Sequence, residues 1–325
     1  MEKVRQETLD AEERIREHII ETRLEYSPFL SDSAGGSVYL KCENLQITNS
    51  FKLRGALNKL LSLTEEERER GVTTASTGNH GSAVAYGMDK FNINGLIYLP
   101  ENAAQTKIDV IRSYNAEIKF FSDDCAKAEV KARQVAQEKG MVFVSPYNDM
   151  KVVGGQGTIA IELMRQLEKI DVVICPVGGG GLIGGIAGYL KSHNERIEII
   201  GAQPEYCTHM YEAIKAGKII EVPARPTFAD GVEGAVEAGS VTFDICRECV
   251  DDFILVSEEE IKAALRLVME KHFMLVEGAG VLSIAAYLKA KDRFKNKNVV
   301  LVISGGKIGL DKLKKLLCPT RVGGR

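Results

Sequence analysis

The sequence predicts an α/β protein of two lobes, each built on a mostly parallel twisted sheet flanked by helices. Three observations carry that reading. Apolar strand-like runs alternate with helical ones, the pattern of parallel sheets wrapped by helices. Several of the runs are almost wholly apolar, as strands covered on both faces are. Glycines and hydroxyls gather where strands end, the edge at which open α/β sheets bind ligands.

In order, strands are expected at residues 37–41, 95–99, 117–121, 142–145, 171–177, 197–203 and 299–304. Helical periodicity falls between them at 81–90, 104–114, 123–139, 157–168, 182–193, 257–272 and 280–290, after an amphipathic N-terminal helix over 1–24 with Ile15, Ile19 and Ile20 on one side. Residues 69–148 form a self-contained βα series and read as a smaller domain inserted into a larger one made of 1–68 and 149–325. Only the tail, 322–325, looks disordered.

Composition narrows the function. At 325 residues and 45% hydrophobic, the chain can bury two lobes. A net charge of −3 gives no basic field for nucleic acid or an anionic membrane. Residues 172–190 carry no charge but hold Pro176 and seven glycines, so they read as a strand, a loop and a helix start rather than a membrane span. No signal core is visible, and the seven scattered cysteines suit a reducing cytoplasm. Cys246 and Cys249 form a CxxC without a second pair, which is better explained as neighbours on one helix face than as a metal or redox site.

Lys52 is the most informative residue. It lies in Asn49-Ser50-Phe51-Lys52-Leu53-Arg54-Gly55-Ala56, where a turn hands over to a helix with Asn49 or Ser50 as the expected N-cap. Partial desolvation and the positive end of the helix dipole both disfavour its ammonium form, leaving an amine able to attack a carbonyl. A surface lysine in an ordinary helix is the plainer alternative.

Three further segments bear on the choice. Gly178, Gly179, Gly180 and Gly181 follow an apolar strand and, with Leu182, open a helix, so backbone N–H groups and a helix N-terminus can cradle a phosphate. Gly179, Gly181 and Gly184 also satisfy a dinucleotide fingerprint, although Gln203 stands where a ribose-binding carboxylate is expected. Ser76, Thr77, Gly78, Asn79 and His80 precede another helix. Ser76 or Thr77 is its expected N-cap, its N–H groups suit a substrate carboxylate, and Asn79 offers an amide to a phenolate-like oxygen. His80 reads as a buried, satisfied imidazole. Ser304, before Gly305 and Gly306, ends a strand where its hydroxyl can meet a ring nitrogen. A free lysine, a phosphate cradle, a donor for a ring hydroxyl and a partner for a ring nitrogen are together what pyridoxal 5′-phosphate requires.

The chain resembles the threonine/serine dehydratase and serine racemase branch of the fold type II (tryptophan synthase β-like) pyridoxal-phosphate enzymes, over about residues 24–317. The motifs are Lys41-Cys42-Glu43-Asn44-Leu45-Gln46, Ser50 through Ala56, Ser76 through Gly81, Gly155-Gln156-Gly157-Thr158, the tetraglycine loop, Val276-Glu277-Gly278-Ala279-Gly280 and Ser304-Gly305-Gly306. The resemblance implies that the cofactor lies in the cleft between the two lobes, with Lys52 as its Schiff-base lysine and Phe51 against its ring. It places Asn79 at the ring hydroxyl, Gly178, Gly179, Gly180, Gly181 and Leu182 on the phosphate, and Ser304 at the pyridine nitrogen. Glu277 is implied as a further cofactor neighbour. The substrate carboxylate would dock on Ser76, Thr77, Gly78, Asn79 and His80, and Lys52 would remove the Cα proton. The implied activity is dehydration and deamination of a β-hydroxy α-amino acid such as L-threonine or L-serine to a 2-oxo acid and ammonia. Small amino acids are the expected partners, and the protein is expected to be a cytoplasmic homodimer.

Several positions depart from the family pattern. Thr77 stands where racemase members carry the serine that reprotonates the opposite face, so racemisation is the first alternative and β-replacement the second. Gln203 and His209 replace acidic residues of the racemase cation site, which leaves a divalent or monovalent cation open. Lys307 replaces the usual Asn, and Gly278 the usual Pro. The chain's length leaves no room for an isoleucine-sensing domain. Tyr147, Asp149 and residues 206–209 are expected to shape the side-chain pocket. A nicotinamide dehydrogenase would explain the glycines alone.

Overall fold

The computed structural model describes residues 1–32 and 35–317; Cys318 and the 322–325 tail lie outside them. Ten strands form two sheets: β1 (Leu24–Tyr26), β2 (Ser37–Cys42), β3 (Val72–Ala75), β4 (Gly95–Leu99), β5 (Glu117–Phe120), β6 (Val142–Phe143), β7 (Val172–Pro176), β8 (Glu198–Pro204), β9 (Asp252–Val256) and β10 (Asn298–Ile303). The larger sheet runs β1-β2-β10-β7-β8-β9 and the smaller β5-β4-β3-β6. All neighbours are parallel except β1, which pairs antiparallel with β2 at the edge.

Alternation along β10 shows how the larger sheet is buried. Val299, Leu301 and Ile303 enter one core, whereas Val300 and Val302 enter the other. Every residue of β7 is buried, which is why its sequence is apolar throughout. The register aligns the carboxyl ends of adjacent strands, Ile303 beside Cys42 and Pro176 beside Ala202. The loops after β2, β7 and β10 therefore leave the sheet along one edge. Ser76 and its neighbours leave β3 in the same sense.

The strands legible from the sequence appear within a few residues of expectation. β1, β3 and β9 did not stand out, being short or at an edge, where the alternation signal is weak. The N-terminal helix is shorter than expected: Glu2–Ile15, then a 3₁₀ turn Arg16–His18. The Gln46 side chain then holds the Ile20 backbone on both sides, accepting its N–H at 3.0 Å and donating to its carbonyl at 2.8 Å. Ile20 is accordingly 46% exposed and leaves the apolar stripe.

The helix expected from residue 157 begins earlier, spanning Met150–Gln166. Its glycines hid that turn from propensity reasoning, yet they serve packing. A Cβ on Gly155 would sit 2.6 Å from the Arg54 carbonyl oxygen, and one on Gly55 would sit 2.4 Å from Gln156 Nε2. This helix thus lies directly against Lys52–Leu61. Cys246 and Cys249 are buried on the helix Val241–Cys249, and burial raises both thiols. Among the described residues no helix is long and apolar enough to cross a membrane.

Candidate active site

Lys52 is the first residue of its helix, but neither Asn49 nor Ser50 caps it. The N-cap is Phe51, with no side-chain bond. Residues 49–51 are instead zipped to the segment after β10. Phe51 N–H donates to the Ser304 carbonyl at 3.1 Å, Gly306 N–H donates to the Asn49 carbonyl at 2.9 Å, and Ser50 bridges Gly305. Asn49 adopts φ 59°, a left-handed turn that asparagine tolerates. This backbone pairing brings Lys52 beside Ser304 across more than two hundred residues of chain.

The Lys52 amine is half-buried, donates to the Pro146 carbonyl at 2.7 Å and lies 5.2 Å from the Phe51 ring centroid. Burial lowers its pKa to about 8, against the opposing pull of Glu277. A usable fraction of neutral amine therefore exists at physiological pH.

Behind it lies a buried charge cluster that sequence reasoning did not identify. Arg54, wholly buried, donates to both oxygens of Glu43 at 2.8 Å and to both oxygens of Glu162 at 2.7 and 2.9 Å. Lys41 joins Glu162 at 2.5 Å. The cluster ties the first turn after Lys52 to β2 and to the helix Met150–Gln166. The Lys41-Cys42-Glu43 and Lys52-x-Arg54 motifs are its sequence trace.

The tetraglycine loop leads into the helix Gly181–His193, with Gly180 at φ 85° as its N-cap. Among the described residues the N–H groups of Gly178, Gly179, Gly180, Gly181, Leu182 and Ile183 make no hydrogen bond. Tyr147 covers this loop: a Cβ on Gly179 would fall 2.5 Å from its ring. The Tyr147 hydroxyl accepts Glu237 N–H at 2.9 Å, fixing the ring there. Tyr147 therefore bounds the cradle, whereas Asp149 caps the helix Met150–Gln166 and pairs with Lys59 at 2.8 Å. Asp149 is thus engaged at the start of that helix. At residues 206–209, the Arg225 guanidinium stacks on Tyr206, 3.8 Å from its ring centroid.

The 76–80 loop also departs from expectation at its cap. Gly78, not Ser76 or Thr77, is the N-cap of the helix Asn79–Phe91, and the Ser76 hydroxyl accepts Gly78 N–H at 3.2 Å. The N–H groups of Thr77, Asn79 and His80 remain unpartnered among the described residues. His80 is buried, with Nε2 2.9 Å from the Val144 carbonyl and 3.1 Å from Thr74 Oγ1, and burial depresses it to about 3. It stays neutral, as a core imidazole does.

Asn79 Nδ2 donates to Glu277 Oε1 at 2.8 Å, while its Oδ1 is buried without a partner. Burial, the leading influence, raises Glu277 to about 7. The buried Ser304 makes no side-chain hydrogen bond among the described residues. The free N–H cradle, an amide with a spare N–H, the unpartnered hydroxyl and the neutralisable amine fit a phosphorylated aromatic aldehyde.

A divalent cation fits less well. Gln203 is spent internally, donating to the Val177 carbonyl at 3.2 Å and accepting Tyr211 N–H at 2.9 Å. His209 Nδ1 lies 3.3 Å from Cys207 Sγ, and no group of three acidic, His or Cys residues is placed for a metal among the described residues.

Comparisons with known proteins agree with this chemistry. The pattern of the family described as pyridoxal-phosphate dependent enzyme matches residues 15–305. An L-threonine ammonia-lyase of Thermotoga maritima is 40% identical over 308 residues, 95% of this chain and 76% of that protein. The catabolic L-threonine dehydratase TdcB of Escherichia coli K12 is 38% identical over 310 residues, 95% of this chain and 94% of that one. Among solved structures, processed threonine deaminase isoform 2 from Solanum lycopersicum superposes with a TM-score of 0.92 at 34% identity, covering 97% of this chain and 92% of that one. Maize serine racemase gives 0.90 at 31%, covering 96% of each. With the match spanning most of its length, the chain belongs to the fold type II pyridoxal-phosphate-dependent enzymes.

Proposed function

We propose that this protein is an ammonia-lyase that dehydrates and deaminates a β-hydroxy α-amino acid, with L-threonine and L-serine as the leading substrates, to a 2-oxo acid and ammonia. The observation that carries the reading is the backbone pairing of Asn49 with Gly306 and of Phe51 with Ser304, which joins the start of the Lys52 helix to the strand end that bears Ser304. The named activities of the relatives point the same way.

The residues divide the work. When bound, pyridoxal phosphate supplies the electron sink that allows a Cα–H bond to ionise and a β-substituent to leave. Gly178, Gly179, Gly180, Gly181 and Leu182 hold its phosphate on free N–H groups. Asn79 would donate to its ring oxygen, Ser304 would meet its ring nitrogen without imposing charge, and Phe51 would lie against its ring. The N–H groups of Thr77, Asn79 and His80, with Ser76 and Gly78 shaping the loop, bind the substrate carboxylate. Lys52 would hold the cofactor and, as a free amine, would take the Cα proton. The Cβ–O bond would break and the hydroxyl would leave as water, with a proton that balances the one removed from Cα.

Residues 1–68 and 149–325 would form the larger domain and 69–148 the smaller; every strand of the four-stranded sheet falls in the latter. A cytoplasmic setting accords with the unpaired cysteines among the described residues, and a homodimer is part of the same proposal. A racemase activity is the second reading, favoured by the Thr77 hydroxyl, which makes no hydrogen bond among the described residues and lies in the loop that would receive the substrate.

The test is 2-oxo-acid release across β-hydroxy amino acids of both configurations, with chiral analysis of the remaining substrate. Lys52→Ala should abolish release. Wild-type turnover in that variant would overthrow the assignment.

A further inference from the structure

The chain between the helices His209–Ala216 and Val241–Cys249 holds one short 3₁₀ turn, Asp230–Val232, and no other helix or strand. It runs against the glycine loop. A Cβ on Gly178 would lie 3.1 Å from Val232 Cα, and Thr242 Oγ1, just past this strap, donates to the Gly179 carbonyl at 2.5 Å. Gly234 and Gly239 bound the last part of the strap at φ 127° and 71°, and an added Cβ at either would meet nothing within 4 Å. Between them Ala235 and Ala238 are exposed and Val236 is buried. One valine is weak anchorage for a segment that ends in glycines at both sides.

Glu237 supplies the rest of the hold. Its Oε1 accepts from the Arg133 guanidinium at 2.8 Å and its Oε2 from Asn148 Nδ2 at 3.1 Å, while its N–H donates to the Tyr147 hydroxyl at 2.9 Å. That hydroxyl donates in turn to the Ala235 carbonyl at 3.3 Å, and Asn148 Oδ1 accepts Val241 N–H at 3.0 Å. Arg133 belongs to the helix Cys125–Lys139, where Glu129 also accepts from it at 2.7 Å and the Phe143 ring centroid lies 4.1 Å away. Tyr147 and Asn148 lie on the segment that joins β6 of the smaller sheet to the helix Met150–Gln166, next to Pro146, whose carbonyl accepts from the Lys52 amine. One carboxylate thus ties the strap to a helix beside the smaller sheet and to the segment that covers the glycine loop.

We infer that Glu237 is a positioning residue for cofactor retention: by binding Arg133 and Asn148 it holds the 234–239 strap down, and the strap seats the Tyr147 ring on the glycine loop. This rests on the reading that the loop holds the cofactor phosphate. Glu237 touches no reacting atom and reaches the phosphate end only through Tyr147. Release of a phosphorylated ligand then requires the strap to lift and the ring to swing away.

The experiment follows loss of pyridoxal phosphate from the diluted holoenzyme by its visible absorbance. Glu237→Ala should speed that loss about tenfold, the worth of one hydrogen bond to a charged group. Glu237→Gln keeps an acceptor for Asn148 but loses the charge facing Arg133, so its rate should fall between the two. The side chains of Arg133 and Glu237 are 38% and 30% exposed, so salt screens their pairing. Added salt should therefore quicken loss from the wild type more than from Glu237→Ala. Wild-type retention in both Glu237 variants overturns the inference, and so does a salt response in Glu237→Ala as steep as that of the wild type. Pyridoxal, which lacks the phosphate, separates the two failures. If the wild type loses pyridoxal far faster than pyridoxal phosphate while both variants retain the latter normally, only the Glu237 role falls. If the wild type holds both compounds alike, the phosphate reading of the loop falls as well.

Discussion

Replacing Arg54 by Met removes one charge from the cluster beneath Lys52 while keeping roughly the same buried volume. The guanidinium donates four hydrogen bonds to carboxylates, at 2.8, 2.8, 2.7 and 2.9 Å, and one to Thr158 Oγ1 at 3.1 Å. Glu162 keeps Lys41 and Arg16, at 2.5 and 2.8 Å, but among the described residues Glu43 keeps only the Thr22 hydroxyl at 2.6 Å. A buried carboxylate left without its cation costs about 3–5 kcal/mol. With an unfolding entropy of about 2.1 cal/mol/K per residue, 325 residues give roughly 0.7 kcal/mol/K. The melting temperature should therefore fall by about 6 °C if the chain unfolds as one unit, and by more if the larger lobe unfolds alone.

The pH dependence has a definite sign. Burial raises Glu162, but Arg54 and then Lys41 outweigh it and hold the carboxyl at about 2. A depressed acid contributes stability above its unfolded value near 4.5, and that stability is lost as pH falls toward about 2. Without Arg54 the loss begins at higher pH, so the gap between variant and wild type should be full at neutral pH and close in acid. Scanning calorimetry of the holoenzyme at several pH values reads this directly. Adding Glu43→Gln to Arg54→Met should recover part of the loss. A melting temperature for Arg54→Met within about 2 °C of wild type at neutral pH would refute the view that this cluster holds the Lys52 helix.

Two further outcomes follow from the site. Gly179→Ala drives a Cβ to 2.5 Å from the Tyr147 ring, and overpacking of about 1–3 kcal/mol should weaken cofactor retention about tenfold, read by equilibrium dialysis; unaltered retention would mean that Tyr147 yields freely. Cofactor uptake by stripped protein needs the neutral Lys52 amine, so its rate should climb with pH and level off above about 8, and a stopped-flow rate flat across that range would contradict the burial of this amine.

Some of this protein is written locally. The all-apolar run of β7 followed by four glycines specifies a buried strand, a turn with exposed N–H groups and a helix start, because each step depends only on neighbouring residues. The pairing of Ser257 with Glu260, which forms a capping box, is local in the same way. Lys52 and Asn79 could be singled out because the lysine, the glycine loop, the Asn79 loop and Ser304 together match the requirements of one cofactor.

Other features exist only through contacts far apart in the chain. The cap of the Lys52 helix differs from expectation because the backbone on either side of Ser50 pairs with the segment after β10: the Asn49 carbonyl accepts Gly306 N–H, the Phe51 N–H donates to the Ser304 carbonyl, and Asn49 is turned to φ 59°. Gly154, Gly155 and Gly157 broke the helical pattern in sequence, yet they sit inside a helix that needs no side chains there to approach its neighbours. The Arg54 cluster joins residues 43, 54 and 162, and Tyr147 is fixed over the glycine loop by Glu237. Propensity and periodicity fix which way a backbone segment runs and which of its faces is apolar. Which charge meets which, and which donors stay free for a ligand, depends on the packing of whole lobes, and that energy belongs to no single segment.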